Sequence, residues 1–169
     1  MKIRIAGIAN DSIVDGPGFR FTIFVQGCPH KCRGCHNPQT HDFDGGTDTT
    51  TEELLSKIKA NPLLDGVTFS GGEPFCHAAA LACLAREIHS LGLDIVTYSG
   101  YTFEELLEGS DAHPDWLELL KETDILIDGR FEESLKSYDV RFRGSTNQRY
   151  LDAKKSLMQK KAVSAVLPE

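Results

Sequence analysis

The stretch Arg-Phe-Thr-Ile-Phe-Val-Gln-Gly-Cys, residues 20–28, is the clearest structural signal in the chain. Its β-branched and aromatic residues predict a buried strand that ends at Gly27, just before a group of cysteines. Further strands are predicted at 66–70, 93–98 and 124–128, helices at 51–60, 77–91, 103–107 and 116–121, and a polar loop at 42–51. Strands that alternate with helices in this way predict right-handed βαβ units and a parallel sheet.

The length of the chain limits how far this sheet closes. With 169 residues, 40% of them apolar, the chain suffices for one domain with a substantial core. Four or five βα units are too few for a closed eight-stranded barrel, which takes about 250 residues. We therefore predict an α/β fold, a partial and open parallel (β/α) barrel. It forms a single domain over residues 1–169, with its core at about 10–151 and a C-terminal tail at 152–169.

Composition argues against two kinds of partner. The formal net charge of −7 is unlike the broad basic surface that nucleic-acid binding requires. No apolar run approaches the roughly 18 residues of a membrane helix, and the start of the chain lacks a signal peptide, so we expect a cytoplasmic protein without membrane contact. Positive charge is in excess only over 130–169, where we interpret Lys154, Lys155, Lys160 and Lys161 as a solvated helix face.

Three of the five cysteines, Cys28, Cys32 and Cys35, lie within eight residues of one another. A disulfide inside this cluster would be strained and would leave the third thiol unpaired, so in a cytosolic chain the spacing indicates metal. Three thiolates can bind three irons of a 4Fe–4S cube and leave the fourth iron without a protein ligand. An open metal position of this kind can bind substrate.

A zinc site or an electron-carrying ferredoxin-like site is the alternative interpretation of these cysteines. Both normally use four protein ligands. His30, His36 or His41 could complete a zinc site, and this alternative stays open here. The other two cysteines, Cys76 and Cys83, lie seven residues apart on a predicted helix, and we interpret them as small packing residues.

A second motif, Gly71-Gly72-Glu73-Pro74, ends the next predicted strand. Two glycines let the backbone approach a ligand, and carbonyl groups together with Glu73 offer negative charge to an ammonium group. Alone, the motif is an ordinary turn. Because chemistry in α/β sheets gathers at the carboxyl ends of the strands, we expect it to lie near the cysteines.

The Cys-x₃-Cys-x₂-Cys spacing, followed one helical crossover later by Gly-Gly-Glu, resembles the radical S-adenosylmethionine (radical SAM) superfamily. Segments 15–20, 98–102, 128–131 and 141–149 are similar to the branch of anaerobic ribonucleotide reductase activating proteins, along most of residues 10–151. The resemblance implies one 4Fe–4S cluster held by Cys28, Cys32 and Cys35. It also implies S-adenosyl-L-methionine contacted by Gly34, Cys35, His36, Gly71, Gly72, Glu73, Asp128, Gly129 and Arg130.

The function implied by the resemblance is reductive cleavage of S-adenosylmethionine and formation of a glycyl radical on the anaerobic ribonucleoside-triphosphate reductase. A one-electron donor such as flavodoxin or ferredoxin would be a second partner. Such chemistry belongs to the cofactors, so no catalytic acid–base side chain is predicted. Three other functions stay open: activation of another glycyl radical enzyme, radical SAM chemistry on a small molecule, and a non-catalytic zinc-binding module.

Overall fold

The computed structural model describes residues 1–168 and places seven strands in one sheet, in the order β3-β1-β2-β4-β5-β6-β7. The strands are β1 (Lys2–Ser12), β2 (Arg20–Val25), β3 (Thr47–Thr50), β4 (Gly66–Gly71), β5 (Asp94–Tyr98), β6 (Ile125–Asp128) and β7 (Arg149–Asp152). The helices are α1 (Thr51–Lys59), α2 (Ala78–Ser90), α3 (Phe103–Gly109), α4 (Pro114–Glu122) and α5 (Ala153–Gln159). Short 3₁₀ turns lie at Pro38–Thr40, Pro74–His77 and Glu133–Leu135.

The centre of the sheet is parallel. β2 pairs with β4, β4 with β5 and β5 with β6, all in the parallel direction. The two edge strands of the described chain, β3 and β7, lie at opposite ends of the order, so the sheet stays open. The predicted open, partial parallel (β/α) arrangement is confirmed for these four strands.

The flanks of the sheet are antiparallel and were not predicted. β1 pairs with both β2 and β3, and β7 pairs with β6. The interpretation of residues 42–51 as a loop was wrong for Thr47–Thr50, which forms β3 against the start of β1. This short polar strand pairs through its backbone at the edge of the sheet, where apolar side chains are not needed.

Helices α1 to α4 lie within two residues of their predicted bounds. The Thr50 hydroxyl accepts a hydrogen bond from the Glu53 N–H and so caps α1. At the start of α3, Thr102 and Glu105 form a capping box, each side chain accepting the other's backbone N–H. Within residues 1–168, no helix has both the length and the apolar character needed to cross a membrane.

The two faces of the sheet carry different cores. Helix α2 packs against α1 and α4, and α4 packs against α3 and α5, over the main core. Because side chains alternate along a strand, Ile95 and Leu126 belong to this core while Val96 and Ile127 face the other side. On that inner face they form a smaller cluster, with Tyr98 and Phe142 among the side chains packed against it.

The segment after α5 returns to the sheet. Val163 and Ala165 pair with β7 through bonds from Asp152 N to Val163 O (2.8 Å) and from Ala165 N to Tyr150 O (3.0 Å). Ala165 and Leu167 also pack on the inner cluster. The tail therefore covers the outer edge of β7. The four lysines predicted to be solvated are exposed.

Candidate metal-cluster site

A cavity of about 410 Å³ lies at the carboxyl ends of the parallel strands, where α/β sheets place their binding sites. The loop after β2 contributes Cys28, Cys32 and Cys35 to its wall. The exits of β4, β5 and β6 contribute Gly71, Gly72, Ser99, Gly100 and Gly129. The fold thus brings the cysteine motif and the double-glycine motif together, as their order in the sequence predicted.

The three cysteines are free thiols that share one cavity. Within residues 1–168, no three His, Cys, Asp or Glu side chains surround a single metal-ion position. In a 4Fe–4S cluster each thiolate binds a different iron. Three free thiols that line one cavity are a donor set that fits such a cluster.

The segment that follows the cysteine loop holds the start of this loop through hydrogen bonds. Gly27 and Cys28 donate their backbone N–H groups to the carbonyls of Thr40 and His41, at 2.7 and 3.2 Å. The side-chain amide of Gln26, only 2% exposed, donates to two further carbonyls of the same segment. These bonds fix the base of the loop.

The thiols of this loop lie in a partly desolvated environment. Burial raises the pKa of the Cys28 and Cys32 thiols above the ordinary value. Backbone N–H groups of His30 and Lys31 oppose this increase at Cys28, and the N–H of Phe131 does so at Cys32. The same N–H groups would stabilise the thiolates that cluster binding requires, and hydrogen bonds to sulfur tune cluster potentials.

Gly71 and Gly72 are required by close packing of the strand exits. A Cβ atom on Gly72 would lie 2.3 Å from the carbonyl oxygen of Gly27, and one on Gly71 would lie 2.6 Å from the Val25 nitrogen. Both distances are far below van der Waals contact. The absence of side chains leaves backbone of β4 as cavity wall next to Cys28, consistent with the predicted backbone approach to a ligand.

Glu73 does not lie on the cavity wall. Its side chain is completely buried and accepts hydrogen bonds from the backbone N–H groups of Phe75 and Gly100, at 2.9 and 2.8 Å. The Ser99 hydroxyl lies 3.0 Å from both carboxylate oxygens, and Nε2 of His30 lies 2.7 Å from one of them. The carboxylate is therefore directed into the protein.

Asp128 is buried in the same way, and of the segment 128–130 only Gly129 lines the cavity. The Asp128 carboxylate accepts hydrogen bonds from the Phe103 backbone N–H (2.6 Å) and from the Arg149 guanidinium (2.5 and 3.0 Å). It thereby joins the start of α3 to β7.

Arg130 points towards α3 and forms a two-bond ion pair with Glu105, at 2.8 and 3.0 Å. The hydrogen bonds from Arg130 lower the pKa of Glu105 to about 2. The guanidinium also lies 5.9 Å from the centre of the Tyr101 ring. The Arg130 side chain is thus held by protein groups just outside the cavity.

The remaining predicted residues divide between the wall and its surroundings. His36 lines the cavity, with its ring 5.1 Å from that of Phe131. Gly34 lies off the wall, where the Glu133 side chain packs over it. Of the histidines considered for zinc, His41 has a buried Nε2 without a hydrogen-bond partner.

The interpretation of Cys76 as a packing residue was wrong, because its side chain is exposed. Pro74 begins a 3₁₀ turn over Pro74–His77 ahead of α2, and this turn presents Cys76 outwards. Cys83 lies within α2 and is half-buried, in agreement with a packing role.

Sequence reasoning missed the wall formed by the segment between β6 and β7. Phe131, Phe142 and Arg143 line the cavity there. Phe142 adopts a left-handed backbone conformation (φ 65°), and its carbonyl accepts a 2.6 Å hydrogen bond from the Tyr98 hydroxyl. Non-glycine residues in this conformation concentrate at functional sites. The only sequence signal was the similarity of segment 141–149 to the family, which carried no residue roles.

Comparison with known proteins identifies the class of this site. A protein-family model described as a 4Fe-4S single cluster domain matches residues 14–151. This match covers most of the chain and both motifs, so the chain belongs to this family of 4Fe–4S proteins.

Two relatives with similar sequences show to which branch of this family the chain belongs. The anaerobic ribonucleoside-triphosphate reductase-activating protein of Vibrio cholerae is 35% identical over 147 residues, covering 80% of this chain and 89% of the relative. That of Enterobacteria phage T4 is 35% identical over 143 residues, covering 80% and 85%. The chain therefore belongs to the family of anaerobic ribonucleoside-triphosphate reductase-activating proteins.

A further relative is longer than this chain. The pyruvate formate-lyase-activating enzyme of Clostridium pasteurianum is 40% identical over 118 residues, covering 64% of this chain. The match takes in 49% of that enzyme, so this chain spans about half of its length.

Proposed function

We propose that this protein cleaves S-adenosylmethionine reductively at a single 4Fe–4S cluster and generates a glycyl radical on an anaerobic ribonucleoside-triphosphate reductase. The observation that carries the proposal is the shared cavity, in which three free thiols face the glycine backbone at the ends of β4 and β6. The relatives named as activating proteins of that reductase support the choice of partner.

In this proposal each wall of the cavity has one task. Cys28, Cys32 and Cys35 would hold the cluster through their three thiolates. The backbone of Gly71 and Gly72, together with His36, borders the space beside it. When bound, the cluster and S-adenosylmethionine supply an electron and a carbon radical that can remove a hydrogen atom from a glycine.

The chain's own residues orient the bound groups and exclude water. Phe131 and Phe142 line the cavity between β6 and β7, and Tyr98 holds Phe142 in place through its hydroxyl. Val14 also lines the cavity but is 70% exposed, as is its neighbour Ile13. These two apolar side chains mark the mouth through which a glycine segment of the partner protein enters.

The test begins with anaerobic reconstitution of the cluster, followed by addition of S-adenosylmethionine and a reductant. We expect 5′-deoxyadenosine to form and, when the reductase is present, a glycyl radical to appear in the electron paramagnetic resonance (EPR) spectrum. A variant with serine at all three cluster cysteines is the control and should produce neither. A fully loaded protein that leaves S-adenosylmethionine intact would contradict the proposal. Reduction by flavodoxin or by ferredoxin, compared in the same assay, tests the proposed electron donor.

Activation of a different glycyl radical enzyme is the second candidate function. It is favoured by the 40% identity to a pyruvate formate-lyase-activating enzyme. Offering the reconstituted protein both a reductase and a pyruvate formate-lyase separates the two candidates. A glycyl radical in the lyase and none in the reductase would replace the first candidate by the second.

A further inference from the structure

We infer that His30 and Glu73 form a clasp that positions the cluster-binding loop, and that Glu73 acts on the site through His30 without touching S-adenosylmethionine. The inference rests on the proposed function in one respect, since it takes Cys28, Cys32 and Cys35 as the cluster ligands. Glu73 and His30 are then positioning residues for the cluster.

His30 is the inward anchor of a loop that is otherwise largely open to solvent. It lies midway between Cys28 and Cys32, and its side chain is 5% exposed, whereas Pro29 and Lys31 on either side are exposed. A loop that presents thiols to a cavity has little apolar surface of its own to hold it. The one buried polar side chain between two cluster ligands is therefore well placed to set their position.

The socket that receives His30 is built from the exit of β5. A Cβ atom on Gly100 would lie 2.4 Å from the imidazole ring, so this position has to be glycine for the ring to enter. The edge of the ring meets Tyr101, with the ring centres 4.5 Å apart and the planes at 77°. Nε2 of His30 then reaches Glu73 at 2.7 Å.

Both oxygens of the Glu73 carboxylate are engaged in hydrogen bonds within the protein. One oxygen contacts Nε2 of His30, the N–H of Gly100 and the hydroxyl of Ser99, and the other accepts from Ser99 and from the N–H of Phe75. Contact with the ammonium group of a ligand would require these bonds to be given up in a completely buried place, which is costly. Of the residues Gly71, Gly72 and Glu73, only the two glycines line the cavity.

Glu73 also fastens the base of the same loop. Its backbone N–H donates to the carbonyl of Gly27 at 2.9 Å, next to the first cluster cysteine. One residue thus holds the loop at Gly27 through its backbone and at His30 through its side chain. The span between these two points contains Cys28, so displacement of either contact would move a cluster ligand.

The experiment compares three variants with a control from the same loop. His30→Phe fills the socket without a hydrogen bond, Glu73→Gln removes the charge, and the double variant removes both. Arg33→Ala is the matched control, because Arg33 lies in the loop with a 95% exposed side chain. Each protein is reconstituted anaerobically, and loss of the cluster's visible absorbance is followed in excess iron chelator.

We expect both single variants to lose the cluster about 10- to 100-fold faster than the native protein, the usual effect of removing a group that orients metal ligands. The double variant should be no more than about threefold faster than either single variant, because one contact is lost in all three. Arg33→Ala should match the native protein. A His30→Phe protein that keeps its cluster as long as Arg33→Ala would overturn the inference.

The affinity for S-adenosylmethionine is a second readout. It separates a positioning role of Glu73, which acts through His30, from direct contact between Glu73 and the ligand. It is measured from the change that the ligand causes in the EPR spectrum of the reduced cluster, for the loaded fraction only. We expect His30→Phe and Glu73→Gln to change the affinity by the same factor. A tenfold loss in Glu73→Gln that is absent in His30→Phe would show direct contact with the ligand and overturn the inference.

Thermal unfolding of the cluster-free proteins checks that each variant folds. If Glu73→Gln does not fold, Ser99→Ala replaces it, since this change removes one donor to both carboxylate oxygens. We expect a several-fold faster cluster loss from Ser99→Ala, and an unchanged rate would count against the clasp. Neither readout requires turnover, so a failure to form 5′-deoxyadenosine would refute the proposed function and leave this result standing.

Discussion

Two strand exits border the same cavity, 71–73 after β4 and 128–130 after β6, and each places a completely buried carboxylate beside a glycine. Their carboxylates serve different parts of the fold. Glu73 holds the cluster loop through His30, whereas Asp128 holds the start of α3 and the edge strand β7. In both, the acidic side chain turns away from the cavity, and the wall is left to backbone.

The glycines at these two exits differ in the reason for their presence. Gly72 packs against the backbone of Gly27, with no room for a Cβ atom. At Gly129 the nearest atom would be 3.7 Å from a Cβ, and only the positive φ of 101° favours glycine. The first position is determined by packing and the second by backbone conformation.

The largest effect is expected from Gly72→Ala. Its Cβ atom would meet a backbone carbonyl that cannot rotate away, so the free energy of unfolding should fall by about 3 kcal/mol. Urea denaturation of the cluster-free protein measures this change. Gly7→Ala is the control, because a Cβ atom there would find nothing within 4 Å. Equal stability of the two variants would contradict a packing role for Gly72.

Asp128→Asn should lower the free energy of unfolding by about 2 kcal/mol, the usual cost of losing hydrogen bonds to a charged group. The asparagine would present an N–H₂ group to donors on Phe103 or Arg149. Denaturation of Asp128→Asn, Arg149→Gln and the double variant forms a cycle that isolates the pair. Additive losses in this cycle would show that the two side chains are not coupled.

Gly129→Ala should lower the free energy of unfolding by about 1 kcal/mol, because alanine would have to adopt the left-handed backbone conformation. Urea denaturation of the cluster-free protein measures this change. Comparison with Gly72→Ala separates the effect of backbone conformation from the effect of close packing. A loss as large as that of Gly72→Ala would erase the distinction between the two exits.

The smallest effect is expected outside the cavity, from Glu105→Gln. The glutamine keeps the capping box but loses the ion pair with Arg130. Both side chains of this ion pair are about two-fifths exposed, so the free energy of unfolding at neutral pH should fall by no more than about 1 kcal/mol. Because the folded-state pKa of Glu105 is lowered from 4.5 to about 2, the stabilisation is fully present above pH 4.5 and is lost as the pH falls towards 2.

The pH dependence supplies the check on this last variant. Stabilities of the native and Glu105→Gln proteins should converge as the pH falls through that range, and the gap at neutral pH should shrink in high salt. A gap that stays constant down to pH 2 would show that Glu105 acts through packing and not through its charge.

The regular alternation of strand-like and helix-like segments made the parallel centre of the fold predictable. The strands from β2 to β6 with apolar side chains and the helices between them follow from local patterns and capping residues such as Thr50. β3 could not be predicted in this way, because Thr47–Thr50 is polar and becomes a strand only by pairing with β1. The return of residues 163–165 to β7 likewise depends on an edge that exists only in the folded sheet.

The amino-acid sequence by itself determined the cysteine spacing, the order of the two motifs and the family to which the chain belongs, because these depend on residue identity and position along the chain. Only the tertiary structure decided where the acidic side chains point. Glu73 and Asp128 turn inwards because donors from distant segments, His30 and Ser99 for one and Arg149 for the other, converge on them. Such convergence is a property of packing, and no local pattern in the sequence encodes it.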